Sequence, residues 1–129
     1  MMIVMLGKKI LLVEDEKFIR DLYVHILASF GYTIDESDNG EDAYARIIQT
    51  EYDIILLDIM IPKLDGLQIL EKLQKENKTE KFKQIILLTN LEEEATIERG
   101  VSYGIRGYLV KSQNPPEKLA KQIEELMGA

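Results

Sequence analysis

Two hydrophobic periods alternate along the chain. Ile10–Val13, Ile54–Leu57 and Ile85–Leu88 are short, nearly unbroken apolar runs, and Thr33–Glu36 and Tyr108–Val110 are weaker strand-like stretches. Between them apolar residues recur three and four positions apart, the period of a helix with one buried face. Phe18, Leu22, Ile26 and Phe30 mark such a face, with Ile19, Tyr23 and Leu27 beside it, and Gly31 closes the segment. This spacing predicts that Leu22 and Ile26 point to the core, with His25 between them in an ordinary packed or exposed role. A second helix is predicted over Glu41–Thr50, after the Asp38-Asn39-Gly40 turn. A third opens at Asp65-Gly66 and carries Leu67, Leu70 and Leu73. A fourth covers Glu92–Tyr103 and stops at Gly104. The last begins with Asn114 as cap, Pro115 in the first turn and Glu117 three residues after Asn114, the spacing of a capping box. Leu119, Ile123 and Leu126 are its expected core face.

Strand and helix thus alternate strictly. All-apolar strands are covered on both faces, which predicts an α/β fold: a doubly wound (βα)5 three-layer sandwich with a parallel sheet between two helix layers. Right-handed crossovers make the strand order reverse somewhere, and ligands bind at that switch point, beyond the carboxyl ends of the strands.

Asp58 interrupts the apolar pattern. It stands between Ile54–Leu57 and Ile59–Ile61, and an unpaired buried carboxylate is costly. The other strand ends suggest what offsets the cost. Glu14 and Asp15 follow the first strand, Thr89 the fourth and Lys111 the fifth. If the first and third strands are neighbours, Glu14, Asp15 and Asp58 converge. Three carboxylates together repel and raise one another's pKa, and a divalent cation removes that penalty. Few, hard, partly hydrated oxygen ligands suit Mg²⁺, which also favours a phosphate partner. Lys111 and Thr89 would then hold phosphoryl oxygens, and Asp58 would be the nucleophile. Singly, each residue has an ordinary reading: a dipole-stabilising acid for Glu14 and Asp15, a strand-end hydroxyl for Thr89, a solvated amine for Lys111. Their joint order at the strand ends points to one site.

The stretches "ILLVEDE" (10–16), "DIILLDIMIPKLDG" (53–66), "IILLTN" (85–90) and "GYLVK" (107–111) together resemble the receiver domain of bacterial response regulators, over roughly Lys8 to Leu126. The resemblance implies a flavodoxin-like sheet of order 2-1-3-4-5. It implies that Asp58 accepts a phosphoryl group from a histidine kinase or phosphotransfer protein. It assigns Mg²⁺, for which Mn²⁺ can substitute, to Asp15, Asp58 and the Met60 backbone carbonyl, with Glu14 close by or acting through water. Thr89 and Lys111 bind the phosphoryl group, and Tyr108 is an aromatic switch that turns inward as Thr89 moves. The readout surface is the fourth helix, fifth strand and fifth helix, which is also the candidate face for a homodimer that the sequence itself does not reveal. The output is an unknown downstream protein or a fused effector domain.

Several positions depart from the family pattern. Asn90 stands where a small residue is usual, and Ile105 replaces a customary alanine. Ser112 follows Lys111 where the family has a proline joined through a cis bond; a cis bond to a non-proline costs about 2.5–4 kcal/mol. Met60 and Leu91 flank the site, are apolar and cannot orient a water, which predicts slow self-dephosphorylation. Asn90 and Ser112 keep open a pseudo-receiver that acts by protein contact alone. An aspartyl phosphatase is the enzyme alternative, but the second aspartate of its D-x-D motif is here Met60. An FMN carrier would need a hydroxyl- and amide-rich loop where this chain has Glu14-Asp15-Glu16. The expectation is therefore no enzyme beyond help with its own modification. Gly100 inside the fourth helix either loosens it or marks a close contact.

Composition narrows the partners. The formal net charge is −7 with a sequence pI near 4.8, and the basic residues are scattered, which predicts no direct nucleic-acid or anionic membrane contact. Without cysteine there are no disulfides or thiolate metal sites, consistent with a cytoplasmic protein. The start MMIVMLG is too short and uncharged for a signal peptide, so residues 1–7 read as an extension and 8–127 as the receiver unit, with no effector domain following.

Overall fold

The computed structural model describes residues 8–90 and 94–128; the expected extension over 1–7, and Leu91 to Glu93, lie outside them. Five strands, β1 (Lys9–Val13), β2 (Thr33–Ser37), β3 (Ile54–Asp58), β4 (Ile85–Thr89) and β5 (Gly107–Val110), alternate with five helices, α1 (Lys17–Ser29), α2 (Gly40–Gln49), α3 (Gly66–Lys75), α4 (Glu94–Ser102) and α5 (Pro116–Met127). Short 3₁₀ turns at Thr79–Gln84 and Lys111–Gln113 were not foreseen in the pattern. All pairings are parallel and the order is β2-β1-β3-β4-β5, with the reversal between β1 and β3. The expected doubly wound three-layer architecture is therefore the observed one.

Alternation along the strands splits the core into two layers. Leu11, Val13, Ile55, Leu57, Ile85 and Leu87 face α2 and α3 through Ile47, Ile69, Leu70 and Leu73. Ile10, Leu12, Ile54, Leu56, Ile86 and Leu88 face α1 and α5 through Tyr23, Leu27, Leu119 and Ile123. Burial of these side chains contributes about 1.5–3 kcal/mol each.

Two helices depart from the pattern. In α1 the buried residues are Tyr23 and Leu27, while Phe18 is 80% exposed and Leu22 and Phe30 about 40%. The apolar stripe is two rows wide, and the docking angle turns only the Ile19–Tyr23–Leu27 row to the sheet. His25 is exposed. At α5 the expected capping box does not form. Asn114 turns its amide to the Val110 carbonyl at 2.9 Å, and Pro115 occupies the cap position, with Pro116 opening the helix. By contrast, α3 has a complete capping box between Asp65 and Gln68.

The loop after β3 is clasped by α2. The Gly40 amide donates to the Pro62 carbonyl at 3.0 Å, and a Cβ at Gly40 would overlap the Leu64 backbone. The Gly66 amide donates to the Ile59 carbonyl at 2.8 Å. Gly100 is a close contact: a Cβ there would meet Leu87.

Candidate phosphoryl-acceptor site

Because the strands are parallel, their carboxyl ends share one edge. β1 and β3 are hydrogen-bonded neighbours, so Glu14, one residue past β1, sits beside Asp58, the last residue of β3. Asp58 lies level with Leu88, and Thr89 with Val110, which puts Lys111 just beyond Thr89. Glu14, Asp58 and Thr89 are all buried. Asp15 is exposed at the rim. Oxygens of Glu14, Asp15 and Asp58 lie within 4.8 Å of one another.

Lys111 reaches across the edge. Its ammonium donates to Asp58 Oδ2 at 2.8 Å and to Glu14 Oε1. The Met60 amide donates to the other Asp58 oxygen at 3.1 Å, and the Glu16 amide to Glu14 Oε2 at 3.1 Å. Arg20, one turn into α1, holds the Glu14 carbonyl at 2.7 Å and pairs with Glu36 at 3.2 Å. The corner is thus a fixed lattice of backbone amides and one shared ammonium.

Sharing explains the electrostatics. Burial pushes Asp58 up to about 6 from an ordinary carboxylate value; Lys111 pulls it down and Glu14 pushes it up again. For Lys111, burial works to lower the pKa, but its bonds to Asp58 and Glu14 outweigh burial and raise it. The ammonium is well compensated by two carboxylates, whereas each carboxylate has half an ammonium. Three carboxylates against one lysine leave two formal negative charges within reach of a single ion. That surplus, with oxygen-only donors and one exposed member, fits a hard divalent cation of the Mg²⁺ type.

The remaining residues fall around this lattice. Tyr108 is 42% exposed, its ring turned out. No cis peptide bond occurs among the described residues, so Lys111–Ser112 is trans. Met60 is exposed, and Leu91 lies outside the described residues. A hollow of about 300 Å³ opens beside Lys111, lined by Ile19, Leu22, Tyr23, Asn90, Ser112 and Pro116. A larger one, about 480 Å³, lies near the β2–α2 turn among Arg20, Glu36, Asp42 and Arg46 and contains none of Glu14, Asp58, Thr89 and Lys111. Chemistry rather than size locates the site.

A model of the response regulator receiver domain matches residues 10–124. The chain belongs to the response-regulator receiver family. This receiver domain is 39% identical over 109 residues to the transcriptional regulatory protein ResD of Bacillus subtilis (strain 168), an alignment covering 84% of the chain and 44% of ResD. It therefore spans less than half of that relative. Among solved structures it resembles the Francisella response regulator 1452 receiver domain, with a TM-score of 0.81 at 26% identity over 95% of this chain and 98% of that one. It also resembles the receiver domain of the sensor histidine kinase PA1611 from Pseudomonas aeruginosa PAO1, with a TM-score of 0.80 at 27% identity over 95% and 99%. That structure has a magnesium ion coordinated in its active-site cleft. Membership makes this chain a phosphorylation-dependent signalling domain of two-component systems rather than a conventional enzyme. Among the described residues no helix is long and apolar enough to cross a membrane. The exclusion of nucleic acid from net charge is not supported, because ResD and the SrrA proteins of Staphylococcus aureus are named as transcriptional regulators.

Sequence reasoning brought Glu14, Asp15, Asp58, Thr89 and Lys111 to one edge. It missed that Lys111 is held by Glu14 as well as Asp58, and it missed Arg20. The signal for Arg20 was present: an arginine one turn beyond an acidic pair, on a helix facing an acidic strand, is placed to brace that pair.

Proposed function

We propose that Asp58 is the phospho-acceptor of this receiver and that Lys111 and Thr89 receive the transferred phosphoryl oxygens. The observation that carries this reading is the Lys111 ammonium bonded to Asp58 at 2.8 Å in a corner with surplus negative charge. A carboxylate oxygen of Asp58 attacks the phosphorus of a phosphohistidine on a kinase or phosphotransfer protein. The P–N bond breaks, the imidazole leaves with its electron pair, and a P–O bond to Asp58 forms. Glu14, Asp15 and Asp58 would hold Mg²⁺ or Mn²⁺ together with the Met60 carbonyl; the bound ion supplies positive charge to the phosphoryl oxygens. Lys111 fixes the acceptor carboxylate and carries a charge matched to the incoming group. Met60 offers no proton-transfer group and cannot orient a water, which supports a long-lived acyl phosphate and disfavours phosphatase turnover.

In this reading Thr89 moves toward the phosphoryl group, Tyr108 turns inward behind it, and the α4–β5–α5 face changes. Residues 8–127 act as the switching unit in the cytoplasm. The face controls a downstream partner or fused segment, or pairs with a second copy. The relatives' names include transcription and gliding motility, so output is set outside the receiver.

The test is incubation with acetyl phosphate and Mg²⁺, followed by intact mass and peptide mapping. A single phosphoryl mass on Asp58, lost in Asp58→Asn and after chelation, is expected. An unmodified protein that takes up neither phosphoryl nor beryllofluoride would establish the pseudo-receiver instead.

A further inference from the structure

Lys111 spends two of its three N–H donors on Glu14 and Asp58. Both oxygens belong to the carboxylates grouped around the candidate cation site. A divalent cation drawing on these carboxylates weakens their hold on the ammonium, and an ammonium that leaves one of them needs another acceptor. The question is where the ammonium finds a replacement acceptor.

The hollow beside Lys111 answers it. Most of its lining is apolar, from Ile19, Leu22 and Pro116, but Tyr23 also faces it. Tyr23 is 3% exposed and belongs to the core layer between α1 and the sheet. Side chains lean toward the N-terminus of their helix, and the N-terminus of α1 lies at the carboxyl edge of the sheet, so the phenol leans toward the acceptor corner. Lys111, Glu14 and Asp58 all act on it electrostatically. Burial raises its pKa, and it is a neutral hydroxyl with lone pairs to offer. Its hydroxyl makes none of the side-chain hydrogen bonds found among the described residues. A phenylalanine or leucine would fill the same space in this core, so the hydroxyl is the part that packing does not explain.

We propose that Tyr23 is a positioning residue for Lys111: its hydroxyl accepts the ammonium when Lys111 leaves a carboxylate, and so favours cation binding at Glu14, Asp15 and Asp58. The proposal rests on the cation and acceptor reading above and adds a residue to it. Tyr23 itself touches neither cation nor phosphoryl group.

The test is Mg²⁺ titration of the whole chain, read by calorimetry or amide resonances and requiring no phosphorylation. Tyr23→Phe keeps the ring and the fold. It is expected to weaken Mg²⁺ binding about three- to tenfold, the loss of one hydrogen bond to a charged group. In a Lys111→Met background, where no ammonium needs a second partner, Tyr23→Phe is expected to change nothing further. Leu22→Ala, which alters the same hollow without touching the hydroxyl, is expected to leave Mg²⁺ affinity unchanged. Unaltered affinity in Tyr23→Phe would overturn the proposal. So would an equal loss in the Lys111→Met background, or a matching loss in Leu22→Ala. Absence of Mg²⁺ binding to the wild type would instead bring down the cation reading itself, and this proposal with it.

Discussion

The acceptor corner and the α4–β5 face reverse the usual placement of side chains. At the corner Glu14, Asp58 and Thr89 are at most 4% exposed. On the α4–β5 face Val101 and Tyr108 are more than 40% exposed, and Gly100 is the one buried residue among those described in α4. Charge is inside where the chain is pinned, and apolar surface is outside where it is lightly held. The two states differ in kind. Buried Glu14 and Asp58 are fixed by named partners, and removal of Lys111 leaves an uncompensated charge. The exposed apolar groups have no such partners, so their positions can shift at little cost. The proposed switch needs both: a corner that registers one added phosphoryl group, and a face soft enough to follow.

The largest effect should come from breaking the corner. Lys111→Met leaves Glu14 and Asp58 facing each other without a counter-ion and is expected to destabilise by about 3–5 kcal/mol in chelator at pH 7, measured by urea unfolding. The deficit should shrink as pH falls toward 6, because without Lys111 to lower its pKa Asp58 takes up its proton at a higher pH than in the wild type. Asp58→Asn should act oppositely. The native Asp58 pKa, about 6, lies above its ordinary value of 3.8. The folded protein therefore binds more protons than the unfolded chain between those values, and stability falls as pH rises through that window. Asp58→Asn removes that loss. Its expected gain is roughly 1–3 kcal/mol in metal-free buffer at pH 7, vanishing near pH 4. A gain independent of pH would show that the carboxylate is fully compensated after all.

On the face, effects should be small in energy and large in populations. Gly100→Ala gains about 1 kcal/mol of helix propensity, offset by the shift it forces on buried Leu87, whose Cδ1 the new Cβ would overlap. The unfolding midpoint is expected to move little, while amide resonances of α4 and Tyr108 shift. Global destabilisation above about 2 kcal/mol would show that α4 is anchored as firmly as α3. Val101→Ala is expected to cost under about 0.5 kcal/mol and leave acetyl phosphate labelling of Asp58 intact.

What the sequence revealed follows from period and position. The three apolar strands could be recognised because burial on both faces leaves no polar alternation, and their parallel order placed Asp58 beside Glu14. The α1 face misled because seven apolar residues form two adjacent rows, and only docking decides which row turns inward. Asn114 misled because a carboxamide can cap a helix or bond a carbonyl, and Val110 offered the nearer acceptor. The double grip of Lys111 could not be read at all: it spans 97 residues and depends on a side-chain rotamer, not on a spacing.

The clasp at Gly40 bears on how such domains exchange parts. The first turn of α2 has space only for a hydrogen against the Leu64 backbone, and its amide is tied to Pro62. Residues 40 to 66 therefore form a cassette that must be transplanted whole. A chimera joined within β3 would set one parent's α2 on the other's loop, a few residues from Asp58, and any misfit there would be delivered straight to the proposed acceptor.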